Sequence, residues 1–184
     1  LYWGENESDP DMVVERWLNE QTHKTSSRWY GQVRVVTYSV PGQSARRFQA
    51  VEARFEHAIR LRGYSVERGA YRPGEVVMVT LSWLPLEKVD KDYTVFVHLY
   101  SEGEGPPVAQ HDGVPAGGNA PTGGWRVDAE VLDRHGVQLP DSISSGEYRL
   151  AVGLYLREGG DRLEVTVGNT KSDRVVLGTI DVLE

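Results

Sequence analysis

Three stretches of the chain place a large apolar residue at every second position: Val77, Val79, Leu81 and Trp83; Tyr93, Val95, Val97 and Leu99; Tyr148, Leu150, Val152 and Leu154. Successive side chains of a strand leave opposite faces, so each stretch supplies one apolar face that a helix could not use. Phe55, Ile59 and Leu61, a short piece near Val108, Val127 to Leu132, Leu163 to Val167 and Val175 to Val182 read as further strands, with turn signals such as Pro73-Gly74 between them. From Ala53 onward no helical period interrupts the series. The pattern predicts a mainly β chain, a jelly-roll-like antiparallel β-sandwich of about eight strands.

The first 45 residues read differently. Leu1-Tyr-Trp3 could end a strand. Asp9 is placed as an N-cap, Pro10 as the first helical residue, and Asp11 complements the helix dipole. Val13, Val14, Trp17 and Leu18 then fall on one helical face, and the helix should fade in the polar run Gln21 to Ser27. Val33 to Val40 is β-branched and closes on Pro41-Gly42. The expected division is an α/β lead-in over 1–45, the tail of an upstream domain, and a sandwich over 46–184. The polar stretch with Arg46-Arg47 serves as the linker.

Composition removes several functions. Acidic and basic residues interleave to a formal net charge of -7 with no Lys/Arg block, so a nucleic-acid partner is not expected. The absence of cysteine excludes a disulfide scaffold, zinc–thiolate sites and thiol catalysis. No apolar run approaches the roughly 20 residues that cross a bilayer. The chain begins at Leu1 and reads as a fragment of a larger protein.

The run from Tyr93 to Trp125 collects chemistry beyond what a plain β-domain needs. Val95, Val97 and Leu99 should point inward, leaving Phe96, His98 and Tyr100 as an aromatic stripe on the opposite face, extended by Tyr155 if the two strands pair. Aromatic faces with polar tips suit sugars, and the candidate ligand-binding residues are His98, Gln110, Asp112, Trp125 and Tyr155. Trp125 and Tyr155 would stack, and the others would bond hydroxyls. The competing reading has the 101–125 loop fold over the stripe and bury it, with His98 bonding a loop backbone group. His98, His111 and Asp112 could together ligate a metal, although no paired motif supports this. A structural calcium on Asp112 and loop carbonyls is as easily drawn. No cofactor is expected.

Catalysis finds little in the sequence. Ser142, Ser144 and Ser145 lack the nucleophile-elbow pattern, and the loop glycines are not followed by Gly-Lys-Ser/Thr. Asp128 with Glu130 and Asp161 with Glu164 could pair for glycoside hydrolysis, but they equally serve to solvate outer strand faces.

Leu61-Arg-Gly-Tyr64, Pro73-Gly-Glu75 leading to Leu81-Ser-Trp83, and Asp92-Tyr-Thr-Val-Phe-Val-His-Leu99 occur in order. Gln110-His-Asp112 to Pro115, Pro121-Thr122 to Trp125, Leu139-Pro140, Gly146-Glu-Tyr148 and Val152-Gly-Leu-Tyr155 follow. The series resembles the C-terminal soluble domain of bacterial multi-spanning membrane glycosyltransferases, the protein mannosyltransferase and aminoarabinose transferase group. The segment from Asp9-Pro10 to Tyr38 is similar to the one that precedes that domain. The resemblance implies a parent that transfers sugar from a polyprenyl-phosphate donor on the outer side of the cytoplasmic membrane. That family's catalytic acids lie in the membrane-embedded part and match no position here, so no catalytic residue carries over.

Three readings follow. The first is a non-catalytic, extracytoplasmic accessory domain that binds carbohydrate and adjoins the membrane-embedded portion of its parent. The second is a structural or protein-interaction module using the Val13, Trp17 and Leu18 face. The third is a glycoside-active enzyme on Asp112, Asp128 and Glu130.

Overall fold

The computed structural model describes residues 11–42, 48–103 and 105–184. The readings placed on Leu1 to Pro10 and on Arg46-Arg47 lie outside them. A helix, α1 (Val13–Gln21), leads into β1 (His23–Tyr30) and β2 (Val33–Ser39). Then come β3 (Gln49–Phe55), β4 (Ile59–Val66), β5 (Ala70–Tyr71), β6 (Val76–Pro85), β7 (Tyr93–Tyr100) and β8 (Ala109–Gly113). The chain finishes with β9 (Val131–Gln138), β10 (Gly146–Leu156), β11 (Val165–Val167), β12 (Thr170–Ser172) and β13 (Val175–Val182).

Two sheets face each other. One runs β12-β11-β3-β4-β6-β9-β1-β2 and the other β5-β13-β10-β7-β8. Neighbours are antiparallel except β1 beside β9 and β5 beside β13. The protein is a mainly β sandwich, as the alternation requires. Val77, Val79, Leu81 and Trp83 of β6 are each 0% exposed, and Val95, Val97 and Leu99 of β7 meet them from the other sheet with the same burial. Fully burying side chains of this size stabilises by about 1.5–3 kcal/mol each.

Among the described residues the strands number thirteen rather than about eight. The Phe55–Leu61 stretch turns at Glu56, which takes a positive φ of 46°, and so becomes the β3–β4 hairpin. Residues 127–130 form a turn with Asp128 at φ 60°, so the strand expected over Val127 to Leu132 starts at Val131. The helix ends at Gln21, where the polar run begins, but the rest of that run to Ser27 is largely strand. His23 opens β1, which joins the large sheet through Lys24 opposite His135. Half-polar residues suit this strand because its two faces meet a cleft and solvent.

Trp125 belongs to the core. It is 7% exposed, lies 6.4 Å from the Trp83 ring, and its indole N–H donates to the Ala120 carbonyl at 2.8 Å. Little of it is left for the stacking role read in the sequence: the exposed remainder lines a separate hollow of about 330 Å³ with Ala120, Pro121 and Arg126.

The sheets differ in width, and this difference positions the site. β8 is the edge of the small sheet and packs on β9 of the large one. The large sheet continues past that edge as β1 and β2, and no strand among the described residues lies above their inward face.

Candidate functional site

A cleft of about 550 Å³ occupies that overhang. It is lined by Lys24 to Ser27 and Arg34 from the β1–β2 hairpin, Gln110 to Val114 with Gly117 and Gly118, Arg134 and His135 of β9, and Arg157. A second hollow of about 400 Å³ lies at the β3–β4 turn. Glu52 and Arg60 pair with each other across it, so it offers less to a ligand.

The floor of the cleft is a buried polar chain. Asp133 and His135 alternate with Val137 on the inward face of β9, where they are 0% and 1% exposed. His135 donates from Nε2 to Asp133 Oδ2 at 2.8 Å, and its Nδ1 lies 2.8 Å from His111 Nδ1. Asp133 also accepts from the Trp83 indole N–H at 3.3 Å and from the Ala116 backbone N–H at 2.9 Å. Burial alone would raise the Asp133 carboxyl, but His135 and these hydrogen bonds outweigh it and hold it below its ordinary value. Burial, followed by the neighbouring His135, pushes His111 down to about 3. A single hydrogen lies between the two Nδ1 atoms, one ring donating it and the other accepting. His111 Nε2 is the ring nitrogen not engaged with His135, on a residue that lines the cleft.

One wall is a backbone held in an unusual shape. Ala116, Gly117 and Gly118 have successive positive φ values of 54°, 65° and 106°. A non-glycine residue in this region costs on the order of 1–3 kcal/mol and persists only where its surroundings enforce it. The enforcing contacts are Asp133 on the Ala116 N–H, and Lys24 Nζ and Asn19 Nδ2 donating to the Gly117 carbonyl at 3.0 and 3.3 Å. A Cβ at Gly117 would come within 2.4 Å of the Asn19 side chain, so the close approach needs glycine.

The opposite wall comes from the lead-in segment. Glu15 of α1 bonds Lys24 at 3.0 Å and grips Arg34 in a two-point pair at 2.9 and 2.8 Å. Burial opposes ionisation of Glu15, yet Lys24 and Arg34 bring its carboxyl below the usual range. Arg34 Nε donates to Ser27 Oγ at 3.0 Å, which places both on the cleft face of the hairpin. Trp29 is two residues beyond Ser27 and directly opposite Arg34 in register, so it continues that same face. It is 60% exposed.

The structure sorts the residues singled out in the sequence. In the β7–β8 pairing Phe96 faces Asp112, His98 faces Gln110 and Val97 faces His111. Gln110, Asp112 and His98 therefore share the outer face, and His111 leaves the inner one. Asp112 links the stripe: His98 Nε2 donates to Oδ1 at 2.8 Å and the Tyr155 hydroxyl to Oδ2 at 3.1 Å. Tyr155 pairs beside Thr94 and extends the stripe as expected, 6.3 Å from Phe96. The stripe is buried, and besides Asp112 its cover comes from outside the 101–125 segment. Arg162 covers the Phe96 ring at 4.5 Å and Arg174 the Tyr100 ring at 5.0 Å. His98 bonds Asp112 and the Tyr100 hydroxyl rather than a backbone group.

His111 faces away from His98 and Asp112 across β8, so the three do not converge on a metal. Among the described residues no group of three His, Asp or Glu side chains is arranged to hold one. Among the described residues Asp112 is the single carboxylate lining the cleft. Glu130 instead bonds Ser82 and lies 3.8 Å from Arg62, and Glu164 pairs with Lys171 at 2.7 Å.

Sequence reasoning missed Trp29, Arg34, Lys24, Arg134 and Arg157. The inward parity of Asp133 and His135 with Val137 was a readable signal, since two buried polar residues at core positions need partners. No protein-family model matches the chain, and no curated protein matches it. Among the described residues no helix is long and apolar enough to cross a membrane.

Proposed function

We propose that this chain is a non-catalytic accessory module that binds carbohydrate in the β1–β8–β9 cleft. Its parent is a multi-spanning glycosyltransferase-like protein, and the module stands on the extracytoplasmic side of the bacterial cytoplasmic membrane. The observation that carries the binding reading is Trp29, an exposed indole continuing the face that lines a polar cleft. A sugar presents a C–H face for such a ring and hydroxyls for neighbouring side chains. Ser26, Ser27, Gln110, Asp112 and His111 Nε2 supply donors and acceptors of both kinds. The placement on a membrane glycosyltransferase rests on the ordered motifs from Leu61 to Tyr155.

Hydrolysis is not favoured. Glycosidases of either stereochemistry use two carboxyl groups flanking the bond, and one lines this cleft. The test is an immobilised panel of neutral and acidic oligosaccharides probed with the wild type and Trp29→Ala. Retention of the wild type on at least one glycan, lost in Trp29→Ala, is the expected result. No retention on any glycan overturns the carbohydrate reading.

A second reading is favoured by one observation. Val13 and Trp17, four residues apart on α1, are 60% and 58% exposed. That face suits docking against the membrane-embedded portion of the parent.

A further inference from the structure

The edges of the two sheets are not alike. β12 is three polar residues, Thr170 to Ser172, with Lys171 at its centre, and β5 is two residues. β8 packs on β9 of the opposite sheet. Short length, lysine and cover are ways in which a sheet blunts its edges against added strands. Among the described residues β2 is the edge left both long and unpaired. It runs seven residues, Val33-Arg-Val-Val-Thr-Tyr-Ser39, with three valines and neither proline nor lysine. Its one charge, Arg34, is drawn onto Glu15 and Ser27.

Hairpin geometry decides which backbone groups this edge offers. Tyr30 pairs with Val33 across the two-residue turn Gly31-Gln32, where Gly31 takes a φ of 62°. The closing pair of such a hairpin exchanges its N–H and C=O bonds. Val33, Val35 and Thr37 therefore address β1, and the N–H and C=O of Arg34, Val36 and Tyr38 point off the sheet. The side chains of these three share one face, the face on which Trp29 stands opposite Arg34.

The strand is complementary to itself. Laid antiparallel on a second copy in full overlap, Val36 meets Val36, Arg34 meets Tyr38 and Val35 meets Thr37. Every outward-pointing residue then faces another outward-pointing residue, as a hydrogen-bonded ladder requires. The two arginines stand four residues apart, whereas like charges directly opposed would be destabilising. Each guanidinium instead lies beside a phenol ring, an attractive arrangement. The remaining pairs are β-branched, which suits a pleated surface.

We infer that β2 pairs with β2 of a second copy of this chain, joining the two large sheets into one about a two-fold axis at Val36. The inference is independent of the carbohydrate reading. An axis between antiparallel neighbours stands perpendicular to the sheet, so the two clefts open on the same side.

The test uses the whole chain. It contains no cysteine, so single introduced thiols report the register. Cα atoms of a hydrogen-bonded antiparallel pair lie about 5.5 Å apart, within disulfide reach. Val36→Cys should form a linked dimer on mild oxidation, and Val33→Cys, about 20 Å from its symmetry mate, should not. Sedimentation equilibrium of the wild type should give a dimer mass as concentration rises. Val36→Pro removes an N–H that points off the sheet, so it should melt close to the wild type and sediment as a monomer. Val36→Lys sets like charges on the axis and should do the same. A wild type monomeric at every concentration overturns the inference. So does a dimer that neither substitution weakens, or a crosslink no stronger at Val36→Cys than at Val33→Cys.

Discussion

His111 and His135 approach through their Nδ1 atoms at 2.8 Å, one ring half-buried at the edge of a cleft and the other sealed against Asp133. Two imidazoles so close cannot both be protonated without strong repulsion, and the buried carboxylate decides how they share hydrogens. His111 is accordingly held near 3, below the value of about 6.5 it has in an unfolded chain. Between these values the unfolded state binds a proton that the folded state refuses. Stability is therefore full above about pH 6.5 and declines as pH falls toward 3, with a slope of up to ~1.4 kcal/mol per pH unit from this group. The lowered Asp133 and Asp112 carboxyls add a loss with the same sign, starting below their ordinary values near 4. Chemical denaturation between pH 4 and 8 should show the decline, and His111→Gln should flatten its upper part. A wild-type stability unchanged from pH 8 to 5 would contradict this account.

Asp133 ties together the histidine pair, the Trp83 indole and the Ala116 loop. Replacing it with Asn keeps the volume and removes the charge that His135 and two N–H donors address. Asp133→Asn should cost about 3 kcal/mol, in the range for breaking a buried pair. It should also raise the hydrogen-exchange rate of the Ala116 amide. A loss under 1 kcal/mol would show that the chain is not supporting the loop.

Two tryptophans separate core from site. Trp125→Ala should destabilise by about 3–5 kcal/mol, since it empties a place beside Trp83. Trp29→Ala should change stability by no more than about 0.5 kcal/mol, because its ring is already in water. Urea melts of the two variants give the comparison directly.

Gly153 leaves no room for a side chain, since a Cβ there would meet the Phe96 ring at 2.3 Å. Gly153→Ala should cost about 1–3 kcal/mol by overpacking and displace Phe96 from beneath Arg162. Near-ultraviolet circular dichroism together with a melt reports both effects.

The sandwich was legible because inward positions of β6, β7 and β10 announce themselves through period-two alternation, and burial follows parity there. The His98 and Tyr155 association was legible for the same reason, as parity on β7 and β10 places them on one face, whereas Asp112 joins them through the β7–β8 register. Which tryptophan is accessible was not legible. Trp29 and Trp125 both stand near glycine in polar surroundings. Their fates are decided by how far the large sheet outruns the small one, a property of strand order rather than of either local sequence. Likewise, nothing near Lys24 indicates that β1 will lie beside β9, more than 100 residues along the chain. The cleft is built from that single non-local pairing, together with Glu15 and Asn19 on a helix whose apolar face draws attention away from its polar one.

The most direct measurement is a crystal structure of the chain soaked with the tightest-binding oligosaccharide of the panel. The account predicts a sugar ring stacked on the Trp29 indole, with its hydroxyls on the Ser27, Gln110 and His111 side of the cleft. Saccharide bound elsewhere, with the cleft open to solvent and Trp29 uncovered, would contradict it.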